Sequence, residues 1–146
     1  MTGAPRRAQN PPVFRWLNDK ILQAIDRRRD ASAIVRVRLQ GDRLAFEDRL
    51  GHRRELGLAD IRRVVAVRAE AYAGDETLLL LQAPDDAVIP VAASCDGWNE
   101  LRDALDRLPG VVPSARWHAR LLGAAVGEPL EVWPAPDAAA GTAAPR

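Results

Sequence analysis

Between Ile34 and Val91 the apolar residues recur in short runs with a period of two, and after Trp98 the period lengthens to that of a helix. A strand alternates its side chains between two faces, whereas a helix brings every third or fourth residue to one face. This order of periods restricts the chain to a small antiparallel sheet followed by a helix that closes it. In Ile34-Val35-Arg36-Val37-Arg38-Leu39, Val35, Val37 and Leu39 share one face and Arg36 and Arg38 the other, the pattern of a half-buried strand. Gln40-Gly41-Asp42 turns the chain into a partner strand beginning at Leu44-Ala45-Phe46, so the first two strands form a tight hairpin. A weaker third strand spans Arg54 to Leu58, after a turn at Gly51.

The β-branched stretch Ile61 to Ala71 reads as a fourth strand. Ala73-Gly74-Asp75-Glu76 reads as a turn, and the continuous apolar run Thr77 to Gln82 as a central strand covered on both faces. A last short strand covers Val88 to Val91, where Pro90 favours an edge position. Trp98, Leu101, Leu105 and Leu108 then form one stripe of a helix over 96–108, with Ser94 or Asp96 as N-cap and Pro109-Gly110 as its stop. A shorter helix is expected from Ser114 to Leu122, and Leu130 to Trp133 as a terminal strand or a packed tail.

Ahead of the sheet, Phe14, Leu17, Ile21 and Ile25 recur at helical spacing, which predicts an amphipathic helix over 13–28. The proline-rich residues 1–12 and the low-complexity residues 134–146 are expected to be disordered. The 146 residues suit one domain, expected over 13–133: helix 13–28, sheet 33–92, capping helix 96–108 and an extension 113–133. One cysteine rules out an intramolecular disulfide, and neither a secretory signal nor a bilayer-long apolar run is present, so a cytoplasmic, soluble chain is expected.

Twenty arginines against one lysine, together with abundant alanine, reflect GC-rich codon usage more than selection for phosphate binding. Residues 1–75 carry 16 basic and 10 acidic side chains, and residues 76–146 carry 5 and 10, so a net +6 is set against a net −5. The two halves are expected to neutralise each other in the fold.

The strands followed by DIRRVVAVRAEAYAGDETLLLLQ, then VIPVAASCDGWNELRDALDRLPG and the late Trp133, resemble a group of small uncharacterised bacterial proteins of pleckstrin-homology-like fold. The resemblance spans about residues 33–133 and rests on structural tokens: the apolar strand Leu78 to Leu81, Ile89-Pro90, the helix end Leu108 to Gly110 and Trp133. It implies an α+β fold, with an antiparallel sheet or partly open small barrel capped by a C-terminal helix. It transfers no site residues, and members of such groups include immunity and partner-binding factors.

No pattern of a catalytic centre or metal site stands out. Cys95 lies near a helix start, but nothing in the spacing of His52 and His118 unites them with it, so a packed cysteine is expected. The acidic pairs Glu47-Asp48, Asp75-Glu76 and Asp85-Asp86 fall at strand ends and turns. Glycines are scattered, with no phosphate loop; the N-terminal half has the basic charge a nucleic-acid binder wants, but its aromatics Phe14, Trp16, Phe46 and Tyr72 read mostly as core or helix-face residues. No cofactor is expected. The expectation is a non-enzymatic module that binds another protein, with Phe14, Trp16, Lys20, Arg27 and Arg28 on the N-terminal helix, Arg36 and Arg38 on the first strand, and Trp117 and Trp133 as candidate contact residues. One alternative is a peripheral membrane or anionic-ligand module using the same basic residues; a second is an enzyme with an unrecognised site.

Overall fold

The computed structural model describes residues 33–71 and 74–134, together with Asp19, Lys20, Leu22, Gln23 and Asp26. From residue 34 on, the described residues form, in order, β1 (Ile34–Gln40), β2 (Arg43–Asp48), β3 (Arg53–Gly57), β4 (Arg63–Ala71), β5 (Gly74–Gln82), β6 (Val88–Ala92), α1 (Trp98–Leu105), α2 (Ser114–Leu122) and β7 (Leu130–Trp133). The fold is α+β. Among the described residues its strands make two antiparallel sheets, β1-β2-β3 and β6-β5-β4-β7, and not a closed barrel.

Local chemistry sets each turn. Gly41 takes a φ of 66°, which lets the two residues Gly41 and Asp42 reverse the chain so that Gln40 faces Arg43. At the next reversal the Asp48 carboxylate accepts the backbone N–H groups of Leu50 and His52, both at 2.9 Å, and replaces the ladder partners that the turn removes. β5 starts at Gly74, earlier than the expected turn over 73–76 allows. Ala71 pairs with Gly74, and Asp75 and Glu76 continue the ladder opposite Glu70 and Ala69. The acidic pair therefore lies in the ladder of an extended hairpin.

The core lies between the two sheets and under the helices. Val37, Leu44, Phe46 and Leu56 come from the first sheet, and Val64, Leu79, Leu81, Ile89, Val91 and Val132 from the second. Leu101, Ala104 and Leu105 of α1 and Trp117 and Leu121 of α2 complete it. Trp98 packs on this cluster from its edge, with its ring set edge-on to Trp117 at a centroid distance of 6.5 Å. β5 is central, and Leu78 to Leu81 are all at most 2% exposed, as expected of a strand covered on both faces. β6 lies at the sheet edge, where Pro90 costs no ladder bond on the outer side. Leu130 to Trp133 is a strand, drawn in beside β4 with Val132 fully buried.

Outside the core, a backbone bridge ties the first sheet to the segment that follows β6. The backbone of Asp96 runs parallel to β1: the N–H of Val37 donates to the Asp96 carbonyl at 2.8 Å, and the N–H of Asp96 donates to the Val35 carbonyl at 3.1 Å. This contact shortens the capping helix relative to the expected 96–108. Asp96 is spent on β1, so α1 begins at Trp98 behind Gly97, which has a φ of 95° and no side-chain cap, and neither Ser94 nor Asp96 serves as N-cap. Beyond Leu105 the bonds shift to three-residue spacing, from the N–H of Leu108 to the Leu105 carbonyl, and the helix gives way to turns. The expected helix over 13–28 falls largely outside the described residues; Asp19, Lys20, Leu22, Gln23 and Asp26 are helical.

A Cβ on Gly97 would sit 1.9 Å from the Val37 carbonyl oxygen, whereas one on Gly41 meets nothing within 4 Å. Both have positive φ, so the two substitutions separate backbone strain from a blocked sheet junction. Gly41→Ala should cost about 1–2 kcal/mol. Gly97→Ala should cost at least about 3 kcal/mol, because it also opens the β1–Asp96 contact. Urea unfolding of the two variants checks the difference.

Candidate functional site

The strand alternation that buries Val37, Leu44, Phe46 and Leu56 sends Arg36, Arg38, Arg43, Glu47, Arg53 and Glu55 to the opposite, outer face of the first sheet. Register then decides which charges meet. Arg36 faces Glu47 across β1 and β2, and its Nη1 lies 2.8 Å from the Glu47 carboxylate. Arg43 and Arg53 both reach Glu55, at 3.3 and 3.6 Å, and Arg53 also donates to the Gln40 side chain at 3.0 Å. Arg38 faces Ala45, which is itself buried on this outer face, as expected where long arginine stems lie over a small residue.

The centre of the site is Asp96. One carboxylate oxygen, Oδ2, accepts from Arg38 Nη2 at 3.0 Å and from Arg36 Nε at 3.3 Å. Arg38 also donates through Nη1 to the Val37 carbonyl at 2.9 Å. The hydrogen bonds from Arg38, then Arg36, hold the Asp96 carboxyl below the ordinary aspartate range, and the same contact with Asp96 raises Arg38. These groups are 43–57% exposed, so the pairs contribute little to stability. Their effect is geometric: two adjacent guanidinium groups are held in fixed positions at the surface.

The expected contact residues are distributed unevenly. Arg36 and Arg38 are brought together on Asp96. Trp117 is 2% exposed and leaves the candidate surface, because the α2 stripe turns it into the core beside Trp98 and Leu121. Trp133 is half-buried and donates its ring N–H to the Pro109 carbonyl at 2.8 Å, a contact that ties β7 to the turn after α1. Lys20 is half-buried on a helical stretch, while Phe14, Trp16, Arg27 and Arg28 lie outside the described residues.

Sequence reasoning missed Glu47, Glu55 and Asp96 as members of this face. Hairpin register, counted back from Gly41, pairs Glu47 with Arg36 and was within reach. Asp96 lies sixty positions from Arg36 and carries no local signal of its partner.

Cys95 lies beside Asp96 and is buried. Its thiol donates to the Asp96 carbonyl at 3.4 Å and is buried; desolvation first, and then the Asp96 charge, push it up to about 11, against the opposing pull of Arg38 and Arg36. His52 is held by Asp48 at 3.2 Å, and His118 is exposed beside Trp117. Among the described residues no group of three or more His, Cys, Asp or Glu side chains could hold a metal ion, and no helix is long and apolar enough to cross a membrane. The chain matches no family model, no curated protein and no solved structure.

Two outcomes follow from this geometry. A carboxyl lowered in the folded state stabilises the fold above its unfolded pKa, and the stabilisation is lost as the pH falls through the folded value. Asp96→Asn should therefore melt below the unaltered protein at pH 7, with the gap in melting temperature closing below about pH 4 as the native carboxylate is protonated. For the thiol, with about one part in a thousand ionised at pH 8, alkylation of the native protein should be about a hundredfold slower than that of an unfolded control. The rate should keep rising past pH 10.

Proposed function

We propose that this chain is a non-enzymatic binding module on a pleckstrin-homology-like scaffold, and that it docks another protein through the outer face of β1-β2-β3. The observation that carries this reading is the pair Arg36 and Arg38 locked on the single carboxylate of Asp96. Exposed ion pairs add little to folding, whereas side chains already fixed in place lose less freedom when a partner binds. Arginine is also among the residues enriched at binding hot spots.

The mixture of charges favours a protein over an anionic surface. Arg36, Arg38, Arg43 and Arg53 share the face with Glu47, Glu55 and Asp96, so its net charge is one positive unit. Each basic group near an anionic membrane contributes about 1 kcal/mol, and interleaved carboxylates offset most of that attraction. A partner carrying both signs in complementary positions uses every group, and the pattern sets its register. The scaffold reading draws support from the two packed antiparallel sheets with a helix lying across their core. A bacterial, cytoplasmic setting completes the reading, and the single unpaired thiol agrees with a reducing compartment.

The test compares the unaltered chain with an Arg36→Glu/Arg38→Glu variant in a pull-down from lysate of the source organism, followed by titration of the captured protein. Charge reversal should weaken binding at least about tenfold, and the affinity should fall as salt is raised. Capture that is indifferent to the reversal would remove this face from consideration. Binding to phosphatidylglycerol vesicles, with no protein captured, would replace the reading with the membrane alternative.

A further inference from the structure

The second sheet is apolar on both faces. One face joins the main core. The other carries Val65, Val67 and Ala69 of β4, Leu78 and Leu80 of β5 and Val88 of β6, which form a separate cluster. These six residues are at most 4% exposed within a single chain. Yet among the described residues the only partly buried hydrophobic packed against them is Ala92, which belongs to β6 itself. A sheet face is not shielded from water by its own strands alone, so its burial calls for a cover.

Outside the described residues lie 72–73, 135–146 and most of 1–32. Tyr72 and Ala73 are two residues only, too few to span three strands. Residues 135–146 hold no apolar side chain larger than alanine or proline. Residues 13–28 hold Phe14, Leu17, Ile21 and Ile25.

The described residues within that last stretch indicate its orientation. At about 100° per residue, Asp19, Leu22, Gln23 and Asp26 share one side of a helix, and Phe14, Leu17, Ile21 and Ile25 fall on the opposite side. All four of the first group are exposed, Leu22 by 62%. A helix with its polar side in water has its apolar stripe turned to something else. Its length of about 24 Å is sufficient to cross four strands spaced about 4.8 Å apart. The few residues before Ala33, each spanning up to about 3.5 Å when extended, can link it to β1.

We propose that residues 13–28 dock as an amphipathic helix on the outer face of the four-stranded sheet, with Phe14, Leu17, Ile21 and Ile25 covering Val65, Val67, Leu78, Leu80 and Val88. The occupant of this face is then the chain's own N-terminal segment. The docked stripe is unavailable to a membrane or a partner, and contact with other molecules is left to the opposite, polar side. The arginine face belongs to the other sheet, so failure of either proposal leaves the other standing.

The decisive experiment is methyl-resolved NMR on the full chain, with a mixed-label sample to separate contacts within a chain from contacts between chains. Intramolecular NOEs from the Ile21 and Ile25 methyls to Val65, Val67 or Leu80 are expected. NOEs to this face from residues 135–146, NOEs between chains, or none from residues 13–28 would each overturn the proposal. Denaturant unfolding of two full-length variants gives an independent reading. Ile21→Asp should raise the unfolding constant at least about tenfold or abolish folding, while Gln23→Asp should change it no more than about twofold. Equal effects of the two would also overturn it.

Discussion

The architecture depends on a contact only two hydrogen bonds wide. The two sheets share no strand, and besides the apolar core and the exposed Arg54–Asp85 pair they are tied where the backbone at Asp96 lies against β1. That contact needs a close approach of two backbones, which Gly97 permits because a side chain there would collide with the Val37 carbonyl. It sets where α1 can begin, and so the direction from which Leu101, Ala104 and Leu105 enter the core. It also places the Asp96 carboxylate beside Arg36 and Arg38. The fold junction and the most ordered group of charges on the surface are one structure, with the backbone of a residue joining the sheets and its side chain organising the arginines.

This coupling explains the division of labour on the first sheet. Its inner face supplies large apolar side chains such as Phe46 and Leu44, whose burial contributes about 2–3 kcal/mol each relative to exposure. Its outer face spends charge on geometry, since pairs this exposed contribute little. Charged side chains on β3, the free edge of this sheet, also discourage pairing with a foreign strand: Arg53 and Glu55 point outward, and Arg54 reaches Asp85 at 3.0 Å.

What was legible in the sequence follows the range of the forces involved. Alternation and turn chemistry are local, so β1, β2, β4 and the central burial of β5 could be read from spacing, as could the extent of α2 from Ser114 to Leu122. Where a distant partner decides, local reading failed. Ser94 and Asp96 resemble helix caps until β1 claims the Asp96 backbone. Asp75 and Glu76 resemble a turn until cross-strand pairing extends the hairpin past them. Trp117 is a strong interface residue by type, and only the facing Trp98 and Leu121 make it a core residue. Of the candidate site, the arginines were visible as an alternating pattern. The aspartate that gathers them was not, because its contact closes a loop of sixty residues.

The pairing of β7 with β4 has a consequence for the order in which the chain can mature. β4 ends at Ala71, but the strand that completes its second edge is Leu130 to Trp133. On a ribosome adding about 5–20 residues per second, the hairpin β4–β5 emerges some seconds before its last neighbour. During that interval the apolar stretch Val64 to Ala66 of β4 presents an unpaired edge. The nascent chain thus exposes this edge to association with copies of itself until Leu130 to Trp133 has emerged and paired.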